Sequence, residues 1–319
     1  MNQFSSVFGQ ILQIFPKSEF YSAVKETKGE KGAKGFTCWG QFVAMLFCQL
    51  GQAHSLREIC GGLASCLGKL RHLGIENAPC RSTLSYANEK RPWQLYQKVF
   101  YQLLGKCQAV APGKKKFRFK NKLFSLDASV IELCLSLFDW ATFRQTKGAV
   151  KLHLLLDHDG YLPVFAHITE GSVHELQIAK RLSFPKGSIV AIDRGYTDYL
   201  LFARWTKEGV YFVTRQKGNA DYTVVEERAV PQNRNILKDQ IITFNSYLSK
   251  KKYPHPLRRI EVWDEEKKDR VVFLTNHLTF GATTIAAIYK DRWHIGVSSQ
   301  GHITQSVQVR PGPTRLKAL

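Results

Sequence analysis

A chain of 319 residues in which 44% of side chains are apolar can bury a sizeable core, which excludes wholesale disorder. Its 46 Lys and Arg against 26 Asp and Glu leave a formal charge of +20, and the partner that fits such a surplus is a polyanion, nucleic acid above all. The sequence holds no run of 18 apolar residues, no signal-peptide start and no C-x-x-C pair among its seven cysteines. It therefore reads as a cytoplasmic, nucleoid-associated protein with reduced thiols and no membrane partner.

Residues 1–110 read as a helical DNA-binding domain. Apolar positions from Phe4 to Phe15 recur at helical spacing, and Pro16 ends that helix. The charged, Gly-rich stretch 25–35 predicts a loop, and 37–51 a buried helix. Ser55 with Glu58 forms a capping box for the next helix, which Gly61-Gly62 should stop. One or two more helices fill 81–104, interrupted at Pro92. Short helices leading into RSTLSYANEKR resemble a helix-turn-helix reader with Arg81, Ser82, Thr83 and Ser85 facing a groove; an ordinary bundle with a solvated face fits equally.

Residues 111–122 form a basic linker. Phe117 and Phe119 alternate there with Lys and Arg, a pattern open to a phosphate-tracking reading or to a merely solvated linker. Beyond it the period changes to strands. LFSLDASVIEL at 123–133 carries Asp127; 151–157 and 161–168 pair as a hairpin through the turn Asp157-His158-Asp159-Gly160. Ser172 and Glu175 predict a helix cap, 187–193 a strand buried on both faces and ending at Asp193, then a helix at 198–207 and a strand at 210–216. That order, with residues 123–295 as one unit, is that of an RNase H-like mixed-sheet domain following a helical domain, an α+β or α/β chain in which the first and fourth strands lie side by side. Residues 217–280 interrupt it as a β-rich insertion with a hairpin across EEKKD, and 283–295 returns to helix.

Asp127 sits inside an apolar strand, where an unpaired charge is costly, and Asp193 ends another. Alone, each fits a cap or turn. As a pair on neighbouring strands of a basic protein they suit Mg²⁺ or Mn²⁺, hard cations that take carboxylate oxygens and leave positions for phosphate. The histidines at 153, 158, 167 and 174 are too scattered for zinc, though Lys151 and His153 alternate with apolar neighbours and could line the site face of their strand.

SLDAS around Asp127, AIDRGYTD around Asp193 and YKDRW at 289–293 together resemble the DDE transposases of bacterial insertion sequences. The resemblance is to the branch with a Tyr-x-x-Arg-x-x-x-Glu-x6-Lys box, the insertion sequence four family. It implies end recognition by residues 1–110, DNA strand cleavage and transfer by the RNase H-like domain, two Mg²⁺ or Mn²⁺ ions in an intact member, and double-stranded DNA as partner, both inverted-repeat ends and target, in a synaptic homodimer. Asp127 and Asp193 would be metal ligands, Tyr289 and Arg292 would hold end phosphates, and Trp293 would stack on a flipped base unless it is a core residue.

The box fails at its third acid. Position 296, where the resemblance requires Glu, is Gly; position 303, where it requires Lys, is Ile; and no Asp or Glu follows Asp291. Asp291 is no substitute, because five positions along a helix turn it about 140° from position 296 at roughly 100° per residue. The acid-free segment 296–319 reads as an aberrant, frameshifted tail, so this copy is expected to be impaired, or to act as a non-catalytic DNA-binding inhibitor of transposition. A basic RNA-binding scaffold, the third class, has no need of two aspartates on adjacent strands.

Overall fold

The computed structural model describes residues 7–66, 68–110, 116–133, 142–144, 147–218, 220–232 and 234–292. It is a helical N-terminal region followed by a mixed-sheet, RNase H-like region. Helices α1 (Val7–Gln13), α2 (Lys17–Thr27), α3 (Cys38–Leu50), α4 (Leu56–Ala64), α5 (Arg81–Lys90) and α6 (Gln94–Val110) enclose one core. Pro16 does more than end a helix: it also stands at the N-cap of α2, a helix that the sequence reading did not assign and that runs into the expected loop as far as Thr27. Phe20, Trp39 and Phe42 pack with ring centroids 5.1–5.7 Å apart, and the buried Trp39 indole donates to Leu73 O at 2.8 Å.

Two local expectations are corrected here. Helix α4 runs through Gly61-Gly62 to Ala64, because Gly62 is where the Phe47 ring lies against the backbone; a Cβ there would meet it at 2.8 Å. The glycine serves close packing and does not break the helix. Residues 65–80, including a 3₁₀ turn at Leu70–Leu73, separate α4 from α5, far more than the short turn of a helix-turn-helix unit. The Ser55 cap itself forms, with Glu58 N donating to Ser55 Oγ at 3.1 Å and Glu58 reaching back to His54 N at 2.8 Å.

The second region is built on a ten-stranded sheet among the described residues, ordered β2-β3-β1-β5-β6-β10-β9-β8-β7, with β4 also paired to β3. Strand β1 (Leu123–Leu133) runs antiparallel to β3 (Lys147–Asp157) and parallel to β5 (Ile189–Ile192). The segment Thr142–Arg144 is β2, β4 is Leu162–Glu170 and β6 is Tyr211–Arg215. The path β4-β3-β1-β5-β6 is the RNase H-like order that the sequence predicts. Strands β7 (Tyr222–Glu227), β8 (Ile236–Phe244), β9 (Leu257–Asp264) and β10 (Asp269–Thr275), with helix α9 (Tyr247–Lys252), extend it antiparallel from β6.

Alternation along the strands feeds two cores. Leu126, Val190, Ile192 and Phe212 face Phe202 and Trp205 of α8 (Tyr199–Lys207). On the other face Leu123, Ile189, Ala191 and Val213 meet Ile285, Ile288 and Tyr289 of helix α10, residues 282–292. The described end of the linker is not simply solvated: Phe117 and Phe119 stack at 5.1 Å and Phe119 packs on Phe280 at 5.0 Å, while Lys116, Arg118 and Lys120 stay exposed.

Candidate active site

Strand register brings the two aspartates together. Leu126 of β1 pairs with Ile192 of β5, so Asp127 and Asp193 follow side by side at the same end of parallel strands. Asp127 is four residues from Leu123 and shares its face, the face that α10 covers. Asp193 leaves β5 to cap a 3₁₀ turn at Arg194–Tyr196, accepting a long hydrogen bond from Gly195 N at 3.4 Å.

Helix α10 closes over the pair. The Arg292 guanidinium, 4% exposed, lies 3.4 Å from Asp127 Oδ2 and 3.6 Å from Asp193 Oδ1. Tyr289 donates its hydroxyl to Asp193 Oδ1 at 3.3 Å, and Arg292 stacks over the Tyr289 ring at 5.1 Å. Burial raises the Asp127 carboxyl above the usual carboxylate range, against the lowering pull of Arg292 and of the Ala128 N–H. Burial likewise pushes the Tyr289 phenol up to about 12, so it stays a donor. Four of the residues singled out in the sequence, Asp127, Asp193, Tyr289 and Arg292, therefore meet in one place, with Tyr289 and Arg292 turned toward the carboxylates.

Arg292 is placed by the residue before it. Asp291, 1% exposed, accepts from Tyr161 at 2.9 Å, bonds His158 Nδ1 at 2.7 Å and pairs with Lys116. His158 Nε2 in turn meets Ser125 Oγ of β1 at 2.7 Å. Burial opposes the Asp291 charge, but Lys116, Tyr161 and His158 outweigh it and hold the carboxyl below its usual range. The D-H-D-G turn thus has a second task, since its His158, with Tyr161 just after it, anchors α10. Sequence reasoning missed this, because a charge in YKDRW looks like a solvated helix face.

The other sequence candidates lie elsewhere. Paired positions across antiparallel strands share a face, and His153 pairs with Ala128, the neighbour of Asp127, so His153 and Lys151 are on the opposite face of the sheet. His153 is fully buried against Thr169 Oγ1 at 2.9 Å, a packing role. Glu175 opens the short helix α7 (Glu175–Ala179), but its cap is His174, whose Nδ1 accepts from Leu176 N at 3.2 Å, where Ser172 was expected. Arg81 is exposed at the start of α5, remote in sequence from the carboxylates, and the Ser82 hydroxyl contacts Cys80 Sγ at 3.2 Å. Trp293 and positions 296–319 lie outside the described residues.

Two converging carboxylates are hard oxygen donors of the kind Mg²⁺ and Mn²⁺ take, and the cationic group between them marks a place where positive charge is favoured. Among the described residues, no three His, Cys, Asp or Glu side chains form a group that could hold a metal by themselves. The donor set fits a divalent cation with two protein ligands.

Residues 118–295, the span that holds both aspartates and α10, match the family model of the transposase DDE domain. The chain belongs to the DDE transposase family. Residues 3–76, ahead of the transposase domain, match the family DUF4372, described as a domain of unknown function. A protein named as a transposase, y4zB of Sinorhizobium fredii, is 29% identical over 75% of this chain and 66% of its own length. Another, named for insertion sequence element IS5377 of Geobacillus stearothermophilus, is 22% identical over 68% of this chain and 56% of its own length. The chain thus spans less than two thirds of these relatives. Endonuclease V of Bacillus subtilis covers 69% of this chain and 88% of its own at 10% identity and a TM-score of 0.24, a likeness too slight to argue from.

Proposed function

We propose that this chain is a bacterial insertion-sequence transposase of the insertion sequence four branch, in which Asp127 and Asp193 hold a divalent cation at the DNA strand to be cut. The observation that carries the reading is the convergence of these two carboxylates, from adjacent parallel strands, beneath Arg292 and Tyr289. When bound, Mg²⁺ or Mn²⁺ supplies charge to the attacking and leaving oxygens of the phosphodiester. Asp127 and Asp193 would hold that cation. Arg292, which now lies beside both carboxylates, carries a planar fork suited to a DNA phosphate and would be free to take one where a cation neutralised Asp127 and Asp193. Tyr289, kept protonated by burial, orients Asp193 and can donate to the same phosphate. Arg81 and Ser82, at the start of α5, belong in this reading to the surface of residues 1–110 that grips the inverted-repeat ends, and the +20 charge suits double-stranded DNA as partner in a synaptic homodimer.

Position 296, where the branch's box has its Glu, is Gly in this chain. Strand cleavage by the chain alone is expected to be negligible, and the alternative role is a DNA-binding inhibitor that occupies ends without cutting them. The test is a supercoiled plasmid carrying the element's ends, incubated with the chain and Mg²⁺ or Mn²⁺. End binding without nicking is the expected result. Robust nicking that survives Asp193→Asn would overturn the site assignment, and nicking abolished by that change would overturn only the impairment.

A further inference from the structure

Helix α7 brings another carboxylate to the same strand end from the opposite face of the sheet. An ideal Cβ on Gly195 would stand 3.3 Å from Glu175 Oε2 and 3.8 Å from Asp193 Oδ2, so both carboxylates reach the same glycine. On its far side Glu175 Oε1 lies 3.6 Å from Lys151 Nζ, whose own position is fixed by donation to Val173 O at 3.0 Å. Beside them is Tyr196, 1% exposed, whose hydroxyl has no hydrogen-bond partner among the described residues. Burial first, and then the charges of Glu175, Asp127 and Asp193, raise that phenol above its usual range against the lowering pull of Arg292. A buried donor without a partner is costly, by about 1–3 kcal/mol, and usually marks a water or ligand atom that completes it.

We propose that Glu175 is a positioning residue of the metal site, accepting a hydrogen bond from a water on the cation that Asp127 and Asp193 hold, with Tyr196 bonded to the same water. This rests on the function proposed above. Glu175 does not close on the cation with the two aspartates, which agrees with the lack of a three-ligand group among the described residues. A water bridge spans the gap, and it fixes the orientation of the Asp193 side of the site. Glu175 does not replace the Glu that the branch's box has at position 296, so it leaves cleavage impaired and its signature is in cation binding.

The experiment titrates Mn²⁺ into the full chain, following free Mn²⁺ by electron paramagnetic resonance, with folding of each variant checked by thermal unfolding. Glu175→Gln should weaken Mn²⁺ binding about tenfold or more, the range for outer-sphere partners, and Glu175→Asp should recover part of it. Lys151→Met should leave affinity unchanged or tighter, because it removes only a competing cation. Unchanged affinity in Glu175→Gln overturns the proposal. Equal weakening by Lys151→Met also overturns it, since Glu175 would then matter only through its ion pair. Binding that survives Asp193→Asn overturns the underlying site, and this inference with it, whereas loss in Asp193→Asn beside full retention in Glu175→Gln overturns this inference alone.

Discussion

Arg292 stands where its charge offsets two partly buried carboxylates at once. Replacing it with Met removes the group that pulls the Asp127 carboxyl down while leaving the burial that pushes it up. The Asp127 midpoint should then rise further, read by carboxyl carbon-13 resonance; an unmoved midpoint would show that the contact carries no weight. Asp291 is the contrasting case, a buried acid with a structural task. Asp291→Asn should cost about 2–3 kcal/mol in urea unfolding, because His158, Tyr161 and Lys116 lose a charged acceptor, whereas Lys116→Met should cost less than about 1 kcal/mol because that lysine is half exposed. Equal costs would place the anchor at the surface pair instead. Asp127 and Asp193 stood out in the sequence only as a pair on neighbouring apolar strands, since alone each fits a cap or turn. Asp291 and Glu175 did not, since both occupy helices where acids ordinarily face water.

Strands β3 and β4 carry a pH dependence that has nothing to do with the site. His153, packed between them, is pushed down to about 4 by burial, with His167 and Lys151 adding to the effect. An unfolded chain takes up this proton near pH 6.5 and the folded one refuses it until about 4, so stability is full above pH 6.5 and falls as pH drops through that interval. Between pH 7 and 5 His153 should contribute a loss of about 2 kcal/mol, visible as a lower urea midpoint, and His153→Gln should reduce the slope by that share, the rest belonging to other buried histidines such as His277, also held down to about 4 by burial. An unchanged slope in the variant would contradict the assignment. Turns explain which elements were legible. The Asp157–Gly160 sequence announced its hairpin because Gly160, at φ 99°, permits the reversal. Gly61-Gly62 misled, because a glycine needed for an aromatic neighbour looks the same in sequence as one that ends a helix. The pairing of β7 with β8 was visible only as a β-rich insertion, since the apolar residues of β8 are interrupted by Lys238, Asp239 and Gln240, and Asp239 is neutralised by Arg258 at 2.6 Å, a partner far along the chain.

At the scale of the whole chain, the +20 charge and the acidic site make separable contributions. DNA affinity should fall roughly a thousandfold between 50 and 200 mM salt if about six phosphates are contacted, and the double variant Asp127→Asn, Asp193→Asn should keep a slope at least as steep, because it removes no phosphate-binding cation. A salt-independent affinity would argue against a DNA partner. The RNase H-like order of the sheet was legible from the succession of strands and helices, because parallel strands need a crossover and the described β1–β5 pair has one. The closing of α10 over the strand ends was not, since it depends on contacts between residues more than a hundred positions apart, such as His158 with Asp291. The most direct test of the shared site is a crystal of the full chain soaked in Mn²⁺ and measured at the manganese absorption edge. The expected result is one anomalous peak between the Asp127 and Asp193 carboxylates with Arg292 swung away, and a peak elsewhere, or one that persists unchanged in Asp193→Asn, would contradict it.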